Sequence, residues 1–271
     1  MPVDVDAEVL WNTRLSPDYN VLALAAPEVS ALARPGQFVM LKPGPHGALL
    51  LRRPYSVFEQ LRDGIGRPIG LTVLSRKVGS GSALLYDAVA GTRVRCLGPL
   101  GQPFTVADPP TVALMVAGGV GLAPFAMLAE ALVSRGVRAS LLYGARTAAE
   151  LFCLDRFEQP SLRVVLATED GSAGEHGRVT RPLEDELART PADQPVQVYA
   201  CGPEPMLEAV ARLASAHGRQ CELAMERLMG CGMGGCYSCV VRMRDPSGAT
   251  RYVRSCLDGP VLRGEDIVWE S

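Results

Sequence analysis

Four cysteines near the end of the chain have the spacing of an iron–sulfur ligand set. Cys231, Cys236 and Cys239 are followed by Cys256, which gives the pattern C-x4-C-x2-C-x16-C. Three cysteines spaced C-x4-C-x2-C, with a fourth farther along the chain, are the plant-type ligand pattern of a 2Fe–2S cluster. The residues between the first two cysteines are mostly glycines, which adopt positive φ and let backbone N–H groups point at cluster sulfurs. The pattern therefore predicts a 2Fe–2S site with these four cysteines as metal ligands.

A predicted β-hairpin brings the last two of these cysteines together. Residues 240–244 and 251–254 have the composition of strands, and the Asp-Pro-Ser-Gly sequence between them is typical of a turn. Cys239 and Cys256 stand at the two feet of this hairpin. A zinc site and disulfides are the alternatives. Zinc sites favour paired C-x2-C units, of which the chain has one, and disulfides fit neither the spacing nor a reducing compartment.

Composition limits the classes of function. The chain has 271 residues, enough for two domains and a small appendage, and its net charge of −2 gives no reason to expect a nucleic acid or an anionic membrane as partner. The acidic N-terminus lacks a signal-peptide pattern, so the eight cysteines are expected to be reduced thiols or metal ligands in the cytoplasm. The apolar stretch 111–133 could span a bilayer by length, but its glycines, Pro124 and Glu130 favour a strand, a turn and a helix.

The first hundred residues predict a small antiparallel β-barrel, because short strands alternate there with Gly and Pro turn signals. Two motifs lie within it: Arg-Pro-Tyr-Ser at 53–56, and a strand ending near Arg76 that is followed by Gly-Ser-Gly-Ser and a helix. Backbone N–H groups at such a helix start suit a pyrophosphate. Taken alone, the second motif is as well explained by a turn with Ser82 as helix N-cap.

The middle of the chain predicts an α/β domain with a parallel sheet. Residues 112–117 form a continuous apolar run, typical of a strand buried on both faces, and strand and helix signals alternate up to Ala200. Glycine loops follow two of these strands, Gly-Gly-Val-Gly at 118–121 and Cys-Gly-Pro at 201–203, and Asp170 begins a third. Open α/β sheets bind ligands at the carboxyl ends of their strands. Arg146 also follows a strand and could meet either a 2′-phosphate or only water.

The remaining cysteines and the histidines are not expected to do chemistry. Cys201 has no nearby histidine or other base in the sequence that would make it a nucleophile. The other thiols are expected to be buried or half-buried, and the histidines to be solvated: Cys96, Cys153 and Cys221, then His46, His176 and His217.

Together these motifs resemble the ferredoxin–NADP reductase superfamily, in which a flavin-binding barrel precedes a nicotinamide-binding domain. The resemblance implies that the Arg-Pro-Tyr-Ser and Gly-x-x-Ser motifs bind FAD and that the two glycine loops flank the nicotinamide. The implied FAD residues are Arg53, Pro54, Tyr55, Ser56, Leu74, Ser75, Arg76, Gly81 and Ser82. The implied NAD(P)H residues are Gly119, Gly121, Pro124, Cys201, Gly202 and Pro203.

The compact cysteine segment narrows the resemblance to one family. Residues 225–241 and 256–262, with Pro-Gly-Gln-Phe at 35–38 and Leu-Gly-Pro-Leu-Gly at 97–101, resemble the electron-transfer subunit of two-subunit, NAD-dependent dihydroorotate dehydrogenases. Gln102 and Pro103 depart from that family's pattern and are interpreted as a surface loop change. The implied architecture is an FAD-binding antiparallel β-barrel at 1–106, a parallel-sheet NAD(P)-binding α/β domain at 107–222 and a small 2Fe–2S segment at 223–271.

The resemblance also implies a partner and a direction of electron flow. An FMN-containing catalytic subunit would oxidise dihydroorotate, and electrons would pass through the 2Fe–2S cluster and FAD of this chain to NAD⁺, in a heterotetramer of two plus two subunits. Related reductase subunits of sulfide dehydrogenases, ferredoxin:NADP or hydrogenase-type complexes are one alternative. A redox-sensing or scaffolding metal-binding module without catalysis is another.

Overall fold

Two seven-stranded β-sheets hold most of the chain. The structure is a computed structural model that describes residues 1–44 and 50–269. His46 lies outside the described residues, whereas His176 is exposed and His217 partly exposed. Within the described ranges, no helix is long and apolar enough to cross a membrane.

The first sheet is antiparallel throughout, as predicted for the N-terminal region, and curves into a half-barrel with β4 and β5 at its two edges. Its strands are β1 (Val3–Arg14), β2 (Tyr19–Ala25), β3 (Phe38–Pro43), β4 (Arg53–Ser56), β5 (Glu59–Arg62), β6 (Pro68–Arg76) and β7 (Arg93–Leu100), in the order β4-β3-β7-β1-β2-β6-β5. Helices α1 (Pro27–Leu32) and α2 (Ser80–Tyr86) belong to this part of the chain. Buried side chains such as Leu22, Leu24 and Val73 fill its interior.

The second sheet is parallel apart from one antiparallel edge strand near the end of the chain, and its six parallel strands alternate with helices as the sequence predicts. Its strands are β8 (Val112–Gly118), β9 (Arg138–Ala145), β10 (Leu162–Thr168), β11 (Glu175–His176), β12 (Val196–Cys201) and β13 (Gln220–Ala224). Helices α3 (Phe125–Ser134), α4 (Thr180–Arg189) and α5 (Glu204–Ala216) cover its faces. The apolar stretch 111–133 is thus a strand, a 3₁₀ turn and a helix.

The order of the second sheet places two strand ends side by side. The chain runs outward from β8 through β9 and β10 on one side, and through β12 and β13 on the other. The β8 and β12 strands are neighbours, with Cys201 opposite Ala117. Ligands bind open α/β sheets at such a point of reversal, outside the carboxyl ends of the strands. The fold therefore brings the glycine loops after β8 and β12 together.

The C-terminal segment is attached to both sheets. It contains the predicted hairpin, β14 (Val240–Arg244) and β15 (Thr250–Arg254), followed by β16 (Val261–Arg263), which pairs antiparallel with β13. Val241, Met243 and Val253 pack into the core of the second sheet with α4 and α5. The predicted boundaries at 106/107 and 222/223 stay predictions, and β16 completes a sheet that begins before the second of them.

Candidate functional site

One cleft, of about 1440 Å³, joins all the predicted binding segments. Its walls come from the barrel edge at β4 and β6, the start of α2, the carboxyl ends of β8, β9 and β12, and the chain just before the first cluster cysteine. The nine predicted FAD residues all line it, as do five of the six predicted nicotinamide residues. Pro124 does not line it, because Pro124 is buried at the start of α3.

Two arginines of the barrel end of the cleft are available to a phosphate. Among the described residues, the Arg53 side chain donates to the carbonyl oxygens of Leu51 and Arg52, at 3.3 and 3.1 Å. The Arg76 guanidinium lies 5.6 Å from the ring centroid of Tyr19. Within the described part of the chain, neither arginine forms an ion pair with a carboxylate. Arginines without a carboxylate partner beside a cleft suit the bidentate binding of phosphate, so this end fits the pyrophosphate of FAD.

The wall beside these arginines is partly apolar and carries an unpaired hydroxyl. Ser75 is 1% exposed, and its Oγ has no hydrogen-bond partner among the described residues. Burial raises the pKa of Tyr55, which therefore stays a neutral phenol. A buried hydroxyl without a partner is costly unless a ligand supplies one. The donors and apolar surface at this wall fit a flavin ring.

Ser82 has a different local role from the one expected. The N-cap of α2 is Gly79, and Ser82 is the third helical residue. The Ser82 hydroxyl accepts from the N–H groups of Val78 and Gly79, at 2.8 and 3.0 Å, and donates to the Gly79 carbonyl at 3.0 Å. These three bonds use the donor and both acceptor positions of the Ser82 hydroxyl. The interpretation of Ser82 as N-cap was wrong, because its side chain bonds back to the cap from one turn inside the helix.

The two glycine loops of the second sheet touch each other. A side chain at Gly121 would collide with the Cys201 carbonyl, and one at Gly202 would lie 2.6 Å from Met206 Cε. Gly119 differs: its φ is +55°, and a Cβ there would meet nothing within 4 Å. Gly121 is thus needed for close packing of the two loops, Gly202 leaves room for the Met206 side chain, and Gly119 is the glycine that leaves the cleft open.

Polar side chains outside the predicted binding residues also line the part of the cleft formed by the parallel sheet, here called the nucleotide-sheet end. Arg146, which follows β9, is held by Glu150 through its Nε at 3.2 Å and a second, shorter bond from its Nη2. The Arg146 guanidinium lowers the pKa of the Glu150 carboxyl. Arg178 and Glu169 lie along the same edge. Only the three-dimensional arrangement reveals that Arg146 is neutralised, because the sequence does not show which acid it meets.

Cys201 lies between the glycine loops and is not activated. Burial raises the pKa of its thiol to about 12, so the thiol is protonated at neutral pH. This agrees with the prediction that Cys201 is not a nucleophile. The other thiols outside the cluster pattern are buried or half-buried, as expected: Cys96, Cys153 and Cys221.

The four cysteines of the ligand pattern form two adjacent pairs. Cys231 contributes to the lowered pKa of the Cys236 thiol and Cys239 to the raised pKa of the Cys256 thiol, so the two thiols of each pair lie close together. Cys239 and Cys256 are 2% and 1% exposed, whereas Cys231 is half-buried and Cys236 exposed. The described residues contain no group of three or more His, Cys, Asp or Glu side chains placed around one metal ion. Two thiol pairs are the donor set of a two-iron cluster, in which four thiolates serve two irons.

The loop between the first two cysteines turns its backbone donors toward sulfur. The N–H groups of Met233 and Gly235 donate to Cys231 Sγ at 3.4 and 3.3 Å. Gly232 and Gly234 have φ of +71° and +81°, which the sequence anticipated. Hydrogen bonds from Ser238 and Cys231 lower the pKa of the Cys236 thiol to about 6, whereas burial raises that of Cys256 to about 12. Donors aimed at thiol sulfur fit an iron–sulfur cluster.

The barrel supports the buried cysteine pair. Cys239, Cys256 and Met229 pack against Phe38, Met40, Leu97 and Leu100 of β3 and β7 in one apolar cluster. Gln102 donates from its side chain to the Leu257 carbonyl at 2.9 Å and from its backbone to the Gly259 carbonyl at 2.5 Å. The interpretation of Gln102 as a surface loop change is therefore incomplete, because Gln102 ties the end of the barrel to the segment after Cys256.

The cleft reaches the cysteine segment through residues that sequence reasoning missed. Met229, Gly230 and Ser238 line the cleft, and Ser238 Oγ accepts from the Gly230 N–H at 3.0 Å and lies 3.1 Å from Cys236 Sγ. The position of Met229 and Gly230 directly before Cys231 was the only available signal. A ligand in the cleft would thus contact residues that belong to the cysteine loop.

Two family models match the chain. The model described as the iron–sulfur cluster binding domain of dihydroorotate dehydrogenase B matches residues 226–268, and the oxidoreductase NAD-binding domain matches residues 115–212. They cover the cysteine segment and most of the parallel sheet. The 2Fe–2S, FAD and NAD expected from the sequence agree with these matches and with the fold.

Curated relatives match over nearly the full chain. The dihydroorotate dehydrogenase B (NAD(+)) electron transfer subunit of Desulforamulus reducens is 35% identical, with 98% of each chain covered. The subunit of the same name from Geobacillus thermodenitrificans is 38% identical, with 91% of each covered.

Solved structures share the fold. The NADH-dependent reduced ferredoxin-NADP oxidoreductase, from a study of flavin-based electron bifurcation, matches with a TM-score of 0.83 and 28% identity, over 98% of this chain and 90% of the other. A ferredoxin NADP+ reductase from Neisseria gonorrhoeae, with bound FAD and NADP, has a TM-score of 0.64 at 22% identity, over 79% and 92%. With the relatives above, these findings show that the chain belongs to the family of dihydroorotate dehydrogenase B (NAD(+)) electron transfer subunits.

Proposed function

We propose that this chain receives electrons from an FMN-containing dihydroorotate dehydrogenase subunit and delivers them to NAD⁺ in the cytoplasm, in a heterotetramer of two plus two subunits. Its membership of the family supports the partner, and the paired cysteines and the cleft support the route. Cys231, Cys236, Cys239 and Cys256 hold the 2Fe–2S cluster in this proposal.

The observation that carries the proposal is the continuity of the cleft. It runs from the phosphate-binding arginines of the barrel, past the glycine loops of the parallel sheet, to residues that bond to the cysteine loop. A flavin held at the barrel end thus has one neighbour for a nicotinamide and another for a cluster. When bound, FAD couples the one-electron chemistry of an iron–sulfur cluster to the hydride chemistry of NAD⁺.

The residues of this chain bind and orient. Arg53 and Arg76 supply the charge for a pyrophosphate, and the walls at β4 and β6 supply a flat apolar surface with hydroxyl donors. Gly119 leaves room beside that surface, while the contact of Gly121 with Cys201 fixes the distance between the two loops. The protonated Cys201 thiol adds no charge next to a nicotinamide. None of these groups needs to transfer a proton of dihydroorotate, as expected of a relay subunit.

Exposed apolar side chains around the cysteine loop support a partner at this face. Leu228, Met233 and Tyr237 are 88%, 57% and 63% exposed, and all three lie within ten residues of Cys236. Cys236 is itself exposed, so a partner that covers these side chains would come next to the cluster. Close approach of this kind is what an electron-transfer interface needs, and apolar side chains are a common centre of such contacts.

The test is co-purification with the candidate catalytic subunit, followed by assay of dihydroorotate-dependent NAD⁺ reduction. We expect iron, sulfide and FAD in the preparation, absorption bands that bleach on addition of NADH, and NAD⁺ reduction only when both subunits are present. The matched control is the catalytic subunit alone with an artificial acceptor, which measures dihydroorotate oxidation without this chain. A colourless, zinc-containing chain, or an iron–sulfur flavoprotein that accepts electrons only from another donor, would contradict the proposal.

A further inference from the structure

Arg254 reaches from the hairpin into the cysteine loop. It is the last residue of β15, two positions before Cys256, and is half-buried. Its Nη1 donates to the Gly234 carbonyl at 3.0 Å, and its guanidinium carbon lies 5.0 Å from the ring centroid of Tyr237. In the part of the chain that the structure describes, Arg254 forms no ion pair with a carboxylate. The nearby Asp258 carboxylate accepts from the Arg254 backbone N–H at 3.0 Å rather than from the guanidinium, which is directed to the cysteine loop.

The carbonyl that Arg254 binds belongs to the same peptide group as a donor to sulfur. The Gly234 C=O and the Gly235 N–H form one planar unit, in which the two bonds point in opposite directions. The Gly235 N–H donates to Cys231 Sγ at 3.3 Å. A charged donor on the oxygen polarises the peptide and strengthens the bond that the N–H makes. Arg254 thus acts on the Cys231 sulfur through one peptide group.

The same side chain restrains the strained part of the loop. Tyr237, between the second and third cysteines, has a φ of +58°, which is unfavourable for a bulky side chain. Arg254 stacks on the Tyr237 ring and approaches its hydroxyl at 3.4 Å. Gly234 has a φ of +81°, and a Cβ there would collide with Leu257 Cδ1, so the loop passes close to the segment after Cys256 at this point. The loop therefore depends on Arg254 at two places.

We propose that Arg254 is a positioning residue that holds the cysteine loop in its ligand-binding shape and stabilises the reduced form of the cluster. The proposal rests on the proposed 2Fe–2S site. One-electron reduction adds a negative charge to the cluster, and a nearby cation with a strengthened N–H···S bond favours that charge. Arg254 thus raises the reduction potential, and its removal lowers it.

The test compares Arg254→Met with Arg251→Met in the complex with the catalytic subunit. Arg251 is an exposed arginine of the same strand that makes no hydrogen bond to the described residues of the cysteine loop, so its variant removes the same charge without the loop contact. Midpoint potentials are measured by redox titration with electron paramagnetic resonance of the reduced cluster. We expect Arg254→Met to lower the ratio of reduced to oxidised cluster about tenfold at fixed ambient potential, equivalent to about 59 mV for one electron. Arg251→Met should change it far less.

Arg254→Lys separates charge from geometry. It keeps the cation but loses the planar guanidinium that stacks on Tyr237, so we expect a potential near wild type and faster loss of iron to a chelator. Equal potentials in Arg254→Met and Arg251→Met would overturn the inference while leaving the cluster itself in place. If Arg254→Met retains no cluster, the iron-loss rates decide: Arg254→Lys must lose iron faster than Arg251→Met. Absence of iron from the wild-type complex would instead overturn the proposed function.

Discussion

The cysteine loop and the nucleotide-sheet end of the cleft use glycine for opposite purposes. In the cysteine loop, glycines take positive φ so that backbone N–H groups face sulfur, and the loop is partly exposed. At the nucleotide-sheet end, Gly121 lies where two loops touch, and a side chain there would collide with the backbone of the neighbouring loop. The backbone conformation of the cysteine loop suits a bound cluster, whereas that of the glycine loops is fixed by packing on the parallel sheet.

The cysteine loop and the glycine loops should therefore differ in how much their stability depends on a bound ligand. The loop at 231–236 has few apolar contacts of its own, so a metal cluster would supply much of its order. The glycine loops follow strands with completely buried side chains, such as Met115 and Tyr199, and keep their shape through that packing. Three substitutions test the comparison, and they are ordered by the size of the expected effect.

Replacement of a buried cluster cysteine should produce the largest difference between the two regions, because it should affect the cluster and leave the flavin bound. Cys256→Ala is expected to abolish the iron–sulfur signal and reduce dihydroorotate-driven NAD⁺ reduction to background, because one iron loses a thiolate. FAD content and reduction of the bound flavin by NADH should largely remain, since most of the cleft wall comes from the two sheets rather than from the cysteine loop. Iron analysis, visible spectra and stopped-flow reduction by NADH measure this.

Cys96→Ala is the matched control for this change. Cys96 is 0% exposed in the barrel, compared with 1% for Cys256, so both variants delete a buried thiol. The comparison fails if Cys256→Ala also loses FAD, or if Cys96→Ala loses iron to the same extent.

Addition of a methyl group at the packed glycine should act on stability. Gly121→Ala would press against the Cys201 carbonyl, so we expect the free energy of unfolding to fall by about 2–4 kcal/mol, at the upper end of single substitutions. Gly119→Ala adds the same methyl group in open space, and its positive φ should cost only about 1 kcal/mol. Urea denaturation measures both. Equal destabilisation would show that backbone conformation rather than packing dominates at this loop.

Release of Arg146 should change the preference for the coenzyme modestly. In Glu150→Gln the arginine loses its ionised partner and becomes available to a 2′-phosphate, so we expect binding of NADPH to improve by roughly tenfold and binding of NADH to change little. Titration of the flavoprotein with each coenzyme measures the two dissociation constants. Glu208→Gln is the control, because its partner Arg212 lies on α5 away from the cleft. If the ratio of the NADPH and NADH dissociation constants does not change, Arg146 does not lie beside the 2′ position of the bound coenzyme.

Local patterns predicted the elements well because local forces decide them. The hairpin at 240–254 has strand composition on both sides of an Asx turn, in which the Asp245 carboxylate accepts from Ser247 and Ala249. The continuous apolar run of β8 is typical of a strand buried on both faces, and the structure confirms that strand. Ser82 and Gln102 were misinterpreted because their partners are set by helix phase and by a contact across 155 residues.

The sequence by itself determined the kinds of ligand, because the number and spacing of cysteines and the order of the Arg-Pro-Tyr-Ser and glycine motifs are chemical facts of the chain. Only the tertiary structure decided which groups meet. It divided the cysteines into a partly exposed and a buried pair, paired Arg146 with Glu150, and placed Arg254 on the Gly234 carbonyl. Such pairings depend on distances between strands and loops that are remote in sequence, and those distances are fixed by packing of the two sheets rather than by any local preference.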